Sequence, residues 1–592
     1  MAFVTLRPFV SLRGLAPGKA RIWFDNEGGF ISALVFVAVL VFCLLPVVQL
    51  VTVASSVFRA DPAGSIELLT SPSVTRATLN SLAIAAASMV LAVAIGGIVA
   101  LVLATMALAT RRALAFFFVL SLMVAPQVSA VAFKTLAGPS SPILNTLGIA
   151  PALGTPNPML GFGGVIFVMG LHHAPLVAIV LASGLARVPK ALIEAAMLDG
   201  ARPLAIITQV ILPVIRLNIL SAVLLAFVAG VGNFGIPALL GLPVGVTTLP
   251  TTIYRQLASF GRGGINDAAM ISLLIALIAG IAVIASAWLT SRHTVRTDVE
   301  RGMEPFILRR AVTVPTEIFV WLFFAATILL PLASLVAKSL VPAYGVTLGW
   351  DTLTFAQYTD TMWSQALIRR AFANSFTYAG AAAIVLAATS LLVAYAIDRR
   401  LSWARAVILP MIEMPYALPG VVVAIACILL FVNPLPFIGV TIYGTAWIIV
   451  FAYLASFLAI ALKPVTAAVS SLERDVEEAA LIDGAGIGRR LGTIILPLNL
   501  PAVAAGGVMV FLLAFNELTI SALLWSAGTE TLGVALLNLE DAGLGSESAA
   551  LAVVATSVVA AIMLLLEAAS RYFPENALPW RQLCPGEARR AG

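Results

Sequence analysis

The stretch Glu194-Ala195-Ala196-Met197-Leu198-Asp199-Gly200-Ala201, followed by Ile211-Leu212-Pro213, is written a second time 284 positions on, as Glu478-Ala479-Ala480-Leu481-Ile482-Asp483-Gly484-Ala485 and Ile495-Leu496-Pro497. Nine identities fall at identical offsets in these windows of twenty residues, where ordinary residue usage supplies about one or two. Glu-Ala-Ala favours helix. The Asp-Gly pair ends it, because glycine takes the left-handed conformation of a helix terminus, and Leu-Pro suits the start of the next helix. Each copy predicts a short helix, a sharp turn and entry into a longer helix.

What surrounds the two copies is almost entirely apolar. With 61% hydrophobic residues, 10% charged residues and a mean hydropathy of +1.06, 592 residues do not make a soluble domain. In lipid every backbone polar group must be satisfied within the span, and long Ala-, Leu-, Val- and Ile-rich runs without strand alternation leave helices, not a β-barrel. A spanning helix needs about 20 apolar residues. Runs near 30–53, 79–105, 113–133, 161–184, 214–240, 267–290, 317–340, 375–397, 405–432, 443–462, 500–525 and 548–569 meet that criterion, which predicts an all-α polytopic membrane protein of about twelve spans. The first run is too long for a secretory signal and lies behind 29 residues, so it is expected to stay as an anchor.

Lysine and arginine orient the chain. With the N-terminus inside, only Arg59, Arg76, Lys134, Arg255, Arg262, Lys338, Arg369 and Arg370 of the 34 fall on the outer side. This positive-inside bias places both repeated loops and both termini in the cytoplasm. The formal charge of +6 follows from topology and does not call for a nucleic-acid partner.

A second repeat, Arg76-Ala77 with Asn80-Ser81 against Arg370-Ala371 with Asn374-Ser375, precedes the second and eighth spans. The chain thus divides into an N-terminal cytoplasmic segment (1–29), a first six-helix half (30–290), an Arg-rich linker (291–316), a second half (317–570) and a cytoplasmic tail (571–592). An even number of crossings sets both halves the same way up, around a pseudo-two-fold axis along the membrane normal.

The paired motifs resemble the EAA loop of binding-protein-dependent ABC importer permeases, and the resemblance covers essentially the whole chain as two permease domains in tandem. In that family the loop is a coupling helix seated in a cleft of the ATP-binding subunit. The resemblance implies that Glu194, Ala195, Ala196, Asp199, Gly200 and Pro213, with Glu478, Ala479, Ala480, Asp483, Gly484 and Pro497, contact that subunit. The copies differ after the turn, where Arg202-Pro203 stands against Gly486-Ile487. An amphipathic surface linker is the bland alternative for one copy, but two copies at equivalent places favour coupling.

The chain itself is not expected to bind ATP. Its single Gly-Lys, Gly18-Lys19, has Arg13 where a phosphate cradle needs glycine and Ala20 where it needs a hydroxyl. The resemblance therefore implies two separate ATP-binding cassette subunits carrying ATP-Mg, and no cofactor on this chain. Outer loops such as 134–160, 241–266 and 341–374 are too short to capture substrate, which implies a periplasmic or lipid-anchored binding protein and a bacterial inner-membrane location.

Charge inside a span costs about 2.5–3.5 kcal/mol at a helix centre, so Glu413 and Glu517 are candidate pathway residues, with Asn516 and, at the equivalent place in the fifth span, Asn233. The alternative for each is an acid paired for packing or one lying near the interface. His172 and His173 are adjacent and point about 100° apart on a helix, a poor metal pair. Cys43, Cys427 and Cys584 form no redox motif, and no metal site is expected.

The fused arrangement resembles iron(III) permeases most, through Asn516-Glu517-Leu518-Thr519-Ile520-Ser521-Ala522-Leu523-Leu524 and Gly528-Thr529-Glu530-Thr531-Leu532. Thiamine and aminoethylphosphonate permeases stay open as alternatives. An ion-coupled secondary transporter with six-plus-six symmetry is the rival class, though it needs no coupling loops.

Overall fold

The structure is a computed structural model that describes residues 28–152, 154–258, 264–291, 304–307, 309–343, 345–401, 405–434, 439–570 and 578–583. Among these residues there is no strand, only an isolated parallel bridge between Met106 and Ile307. Nearly all of the N-terminal segment, half of the expected linker and most of the tail lie outside the described residues.

In the first half the helices are α1 (Ser32–Ala60), α2 (Pro72–Thr105), α3 (Arg111–Met123), α4 (Pro126–Ala137), α5 (Phe162–Leu185), α6 (Lys190–Leu198), α7 (Arg216–Gly232), α8 (Gly235–Leu240), α9 (Leu249–Ala258) and α10 (Gly264–Ser291). The second half repeats them as α11 (Arg310–Ser339), α12 (Ala366–Arg399), α13 (Arg405–Ala417), α14 (Gly420–Phe431), α15 (Ala446–Ser471), α16 (Arg474–Ile482), α17 (Ile487–Phe515), α18 (Thr519–Leu524), α19 (Leu532–Asp541) and α20 (Gly545–Ala568). A short α21 (Pro579–Gln582) follows.

Nine described helices are long and apolar enough to cross a membrane, and four bent pairs raise the number to as many as 13. The expected count of about twelve falls within this range, and four of the expected runs are interrupted by a break. The run 113–133 breaks between α3 and α4, which with its continuation to Thr146 bends by 99°, and 405–432 breaks between α13 and α14 by 102°. Proline explains both breaks: Pro126 opens α4 and Pro419 sits at the N-terminal boundary of α14. The runs 214–240 and 500–525 stop at Gly232 and Phe515 and restart as the short helices α8 and α18. These breaks fall at matching positions of the two halves.

In each half the second, fourth and fifth spans pack together: α2 with α5 and α7, α12 with α15 and α17. The first helices are exchanged. α1 packs on α14 of the second half, and α11 on α4 of the first, the reciprocal pairing of a two-fold arrangement. Further ties cross between the halves. Lys134 at the end of α4 pairs with the buried Glu540 of α19 at 2.8 Å, with Lys338 of α11 at 4.0 Å from the same carboxylate. α21 lies on α3, its Trp580 ring edge-on to Phe116 at 5.6 Å, while the indole N–H donates to Glu567 of α20 at 2.6 Å and Arg581 pairs with that carboxylate at 3.0 Å.

Candidate functional site: two closed loops and a central crossing

The two repeated loops fold alike. In the first, α6 ends where the Gly200 N–H reaches Met197 O at 3.0 Å and the Ala201 N–H reaches Ala196 O at 3.0 Å. In the second, the Gly484 N–H reaches Leu481 O at 3.0 Å and the Ala485 N–H reaches Ala480 O at 2.9 Å. Both are Schellman closures, which need a left-handed residue just past the helix. Gly200 has φ +77° and Gly484 φ +78°. An added Cβ would meet nothing within 4 Å at either position, so the backbone angle alone demands glycine.

Both short helices turn most of their surface outward. The only buried residue of α6 is Ile193, and the only one of α16 is Glu477, its counterpart in the alignment of the motifs. Glu194, Ala195, Asp199, Glu478, Ala479 and Asp483 are exposed, and Ala196 and Ala480 half-buried. Beside them Leu198 and Ile482, equivalent residues, are 89% and 85% exposed. Two apolar side chains left exposed at matching tips need a reason, and a protein partner would supply one. Glu194 pairs with Lys190 at 3.6 Å, and Lys190 also bonds Glu304 at 3.1 Å. That hydrogen bond to Glu304 holds the Lys190 ammonium above its ordinary pKa.

After the turn the copies diverge. Pro213 lies in the segment Pro203–Val214, which meets α7 at a bend of 72°, whereas Pro497 lies inside α17, which runs unbroken from Ile487 to Phe515.

The second place of interest is where the four breaks converge. A helix interrupted at membrane depth frees carbonyls that must find donors. Asn516 supplies one: its Nδ2 donates to Met123 O at 2.9 Å, across the break between α3 and α4, and to Leu512 O at 3.0 Å. Gln127 returns a bond from Nε2 to Asn516 O at 3.3 Å. On the pseudo-symmetric side Gly232 faces Pro419, with room for no Cβ, since Pro419 Cβ would lie 2.8 Å away. Asn233 Oδ1 accepts from the Ile236 N–H at 3.1 Å, and the Glu517 carboxylate accepts from Ile520 at 2.7 Å and Ser521 at 3.1 Å. Both residues therefore cap the first turn of a short helix, α8 or α18. Asn233, Asn516 and Glu517 are brought together with the breaks.

Glu413 is elsewhere. It lies about one and a half turns before Pro419, in a cavity of about 280 Å³ between α13 and α15 lined also by Arg405, Lys463 and Thr466. The Lys463 ammonium sits 5.3 Å from the Tyr416 ring centroid. At the matching positions of the first half Val119 stands for Glu413 and Ile179 for Lys463, while Arg111 matches Arg405. His172 and His173 are buried in α5.

The Arg-Ala and Asn-Ser repeat has a task that only the fold shows. Asn80 Nδ2 donates to Thr247 O at 2.9 Å and Ser81 Oγ accepts from the Leu249 N–H at 2.8 Å. Asn374 Nδ2 donates to Glu530 O at 2.9 Å and Ser375 Oγ accepts from the Leu532 N–H at 2.9 Å. Each pair fastens the loop that follows the short helix of its own half, α8 or α18, back onto the second span. Arg370 adds bonds of 3.1 and 3.3 Å to Glu530.

Two tandem bundles with paired, outward-facing, glycine-closed loops define a duplicated transport permease. The chain matches the family "Binding-protein-dependent transport system inner membrane component" twice, over residues 108–291 and 390–575, and belongs to it. It is an ABC importer permease, a transport subunit and a multi-pass integral membrane protein. It is similar to the probable ABC transporter permease protein y4fN of Sinorhizobium fredii, 25% identical over 85% of this chain and 88% of that one. It is similar also to the putative ferric transport system permease protein FbpB 1 of Haemophilus influenzae, 24% identical over 89% and 82%. A shorter match joins it to the putative 2-aminoethylphosphonate transport system permease protein PhnV of Salmonella choleraesuis, 27% identical over 28% of this chain and 60% of that one.

Proposed function

We propose that this chain forms the translocation pathway of an ATP-driven iron(III) importer. The observation that carries the coupling part is the matched pair of Schellman-closed helices, exposing Leu198 and Ile482 at equivalent tips for two ATP-binding subunits. ATP closes those subunits on the cytoplasmic side, the coupling helices move with them, and the halves rock about the central crossing to alternate access. A periplasmic or lipid-anchored binding protein delivers the cargo. Asn233, Asn516 and Glu517 lie where the path crosses the four breaks, and Glu413 lies on its second-half wall. Iron(III) is supported by relatives that carry ferric transport names over most of their length.

One observation favours a second cargo. The cavity of Glu413, Arg405 and Lys463 presents a carboxylate beside two cations, which suits a zwitterion such as aminoethylphosphonate better than a bare cation. Reconstitution in proteoliposomes with the cognate ATPase and binding protein tests both. Uptake of radiolabelled iron(III), with none of aminoethylphosphonate, is expected, and the reverse result moves the assignment to the zwitterion.

A further inference from the structure

The two coupling loops are joined to the membrane helices by different chemistry. In the second half, Glu477 enters the protein from α16 and is met from three sides. Its Oε1 accepts from Arg490 at 3.1 Å and from the Tyr395 hydroxyl, and its Oε2 pairs with Arg399 at 3.3 Å. Arg399 also donates to Leu472 O at 2.9 Å and pairs with Asp398 at 3.1 Å. Tyr395 and Arg399 belong to α12, Arg490 to the start of α17. One buried carboxylate thus ties the coupling helix to two spanning helices.

The first half holds none of these groups at the matching positions. Ile193 replaces Glu477 and Ile206 replaces Arg490, each buried, at 3% and 1% exposure. Leu101 and Thr105 stand for Tyr395 and Arg399, and the Thr105 hydroxyl bonds back to Leu101 O of its own helix at 2.8 Å. Apolar contact is non-directional and allows sliding, whereas an ion network with several fixed hydrogen bonds has one geometry, and breaking it leaves uncompensated charge. The backbone agrees with the side chains. The softly seated loop leads into the 72° bend before α7, and the ion-locked loop leads into the unbroken α17.

We infer that the Glu477–Arg490–Arg399–Tyr395 socket makes the second coupling helix a rigid lever on α12 and α17, while the first rides on an apolar seat and hinges near Ile215. Coupling is asymmetric, and Glu477, Arg490, Arg399 and Tyr395 are positioning residues for it. This rests on the coupling reading given above. In the cycle α16 moves with α12 as one body, and α6 shifts relative to α2.

The experiment uses the complete complex in proteoliposomes. Uptake per ATP hydrolysed is measured for Glu477→Gln and Arg490→Met, and in the first loop for Ile193→Leu and Ile206→Leu. The ratio should fall at least about 5-fold in the second-loop variants and hold in the first-loop pair. A merely structural role would lower the yield of assembled complex without moving the ratio. Should Glu477→Gln assemble poorly, electron-electron spin distances in otherwise unaltered protein decide the matter. Labels at Val476→Cys with Ile384→Cys, all exposed sites, should keep their separation on ATP binding. The equivalent pair Leu192→Cys with Val90→Cys should change by about 1–2 Å or more. Equal change in both pairs, or a normal ratio in Glu477→Gln while Gly484→Val still uncouples, overturns the lever. Normal ratios in Gly200→Val, Gly484→Val and Glu477→Gln together overturn the coupling reading itself.

Discussion

At the scale of single residues, acids and amides inside the spans act first on the backbone. Glu517 and Asn233 each accept the N–H groups of a helix that restarts inside the membrane region. Glu517→Ala should cost roughly 0.5–2 kcal/mol, the usual worth of an N-cap. Glu517→Gln keeps one acceptor oxygen and should lose less than half of that. Thermal unfolding in detergent checks the order, and equal losses would remove the cap. Glu530 carries a pH dependence. Burial raises its pKa, but the Gly528 N–H and the Arg370 guanidinium outweigh this and hold the carboxyl below its ordinary value. A depressed carboxyl stabilises above its unfolded pKa and loses that contribution as pH falls through the folded one. Hydrogen-exchange protection of residues 526–532, taken relative to the intrinsic rate at each pH, should therefore fall on acidification, while that of 243–249, with Val246 near the matching place, does not. The identity of these acids was legible in the sequence. Their capping geometry was not, because it depends on helix breaks that a hydropathy window averages away.

At the scale of elements, local signals and long-range contacts differ in what they leave in the sequence. Gly200 and Gly484 could be placed because a left-handed residue after Glu-Ala-Ala has a local signature, and the φ values follow it. The breaks at Ala125 and Pro419 sit inside continuous apolar runs, where only Pro126 and Pro419 mark them. The ion socket of α16 was invisible, since its partners lie 82, 78 and 13 residues from Glu477 and meet it only in three dimensions. The turn itself gives a direct test. Valine at 200 or 484 must adopt a conformation costing about 1–2 kcal/mol, with no clash to add. Gly200→Val and Gly484→Val should insert normally yet hydrolyse ATP without matching uptake. The second should be the more damaging, because its loop leads into a continuous helix.

For the whole molecule, the exchange of α1 and α11 makes the halves interdependent. Duplication was legible from two motif pairs alone, whereas the exchange was not, since helix-to-helix contacts leave no periodic trace in an apolar run. The fused arrangement fixes composition: native mass spectrometry of the purified complex should find one copy of this chain with two ATPase subunits. Two copies of the chain per ATPase pair would mean that the halves do not pair with each other. Co-expressed halves, severed within residues 292–303, should reassemble because the exchanged helices still have their grooves.

The position of Trp580 bears on the order in which the halves are completed. Its ring fills a place against Phe116 of α3, while its anchor, Glu567, belongs to α20. The Phe116 side of α3, whose neighbours Phe117 and Phe118 meet Trp321 and Phe324 of α11, is therefore covered by a residue that lies 464 positions later in the sequence. A stop codon at position 578 should leave a full set of spanning helices and a first half that proteases cut faster than the second, whereas Trp580→Phe should restore resistance.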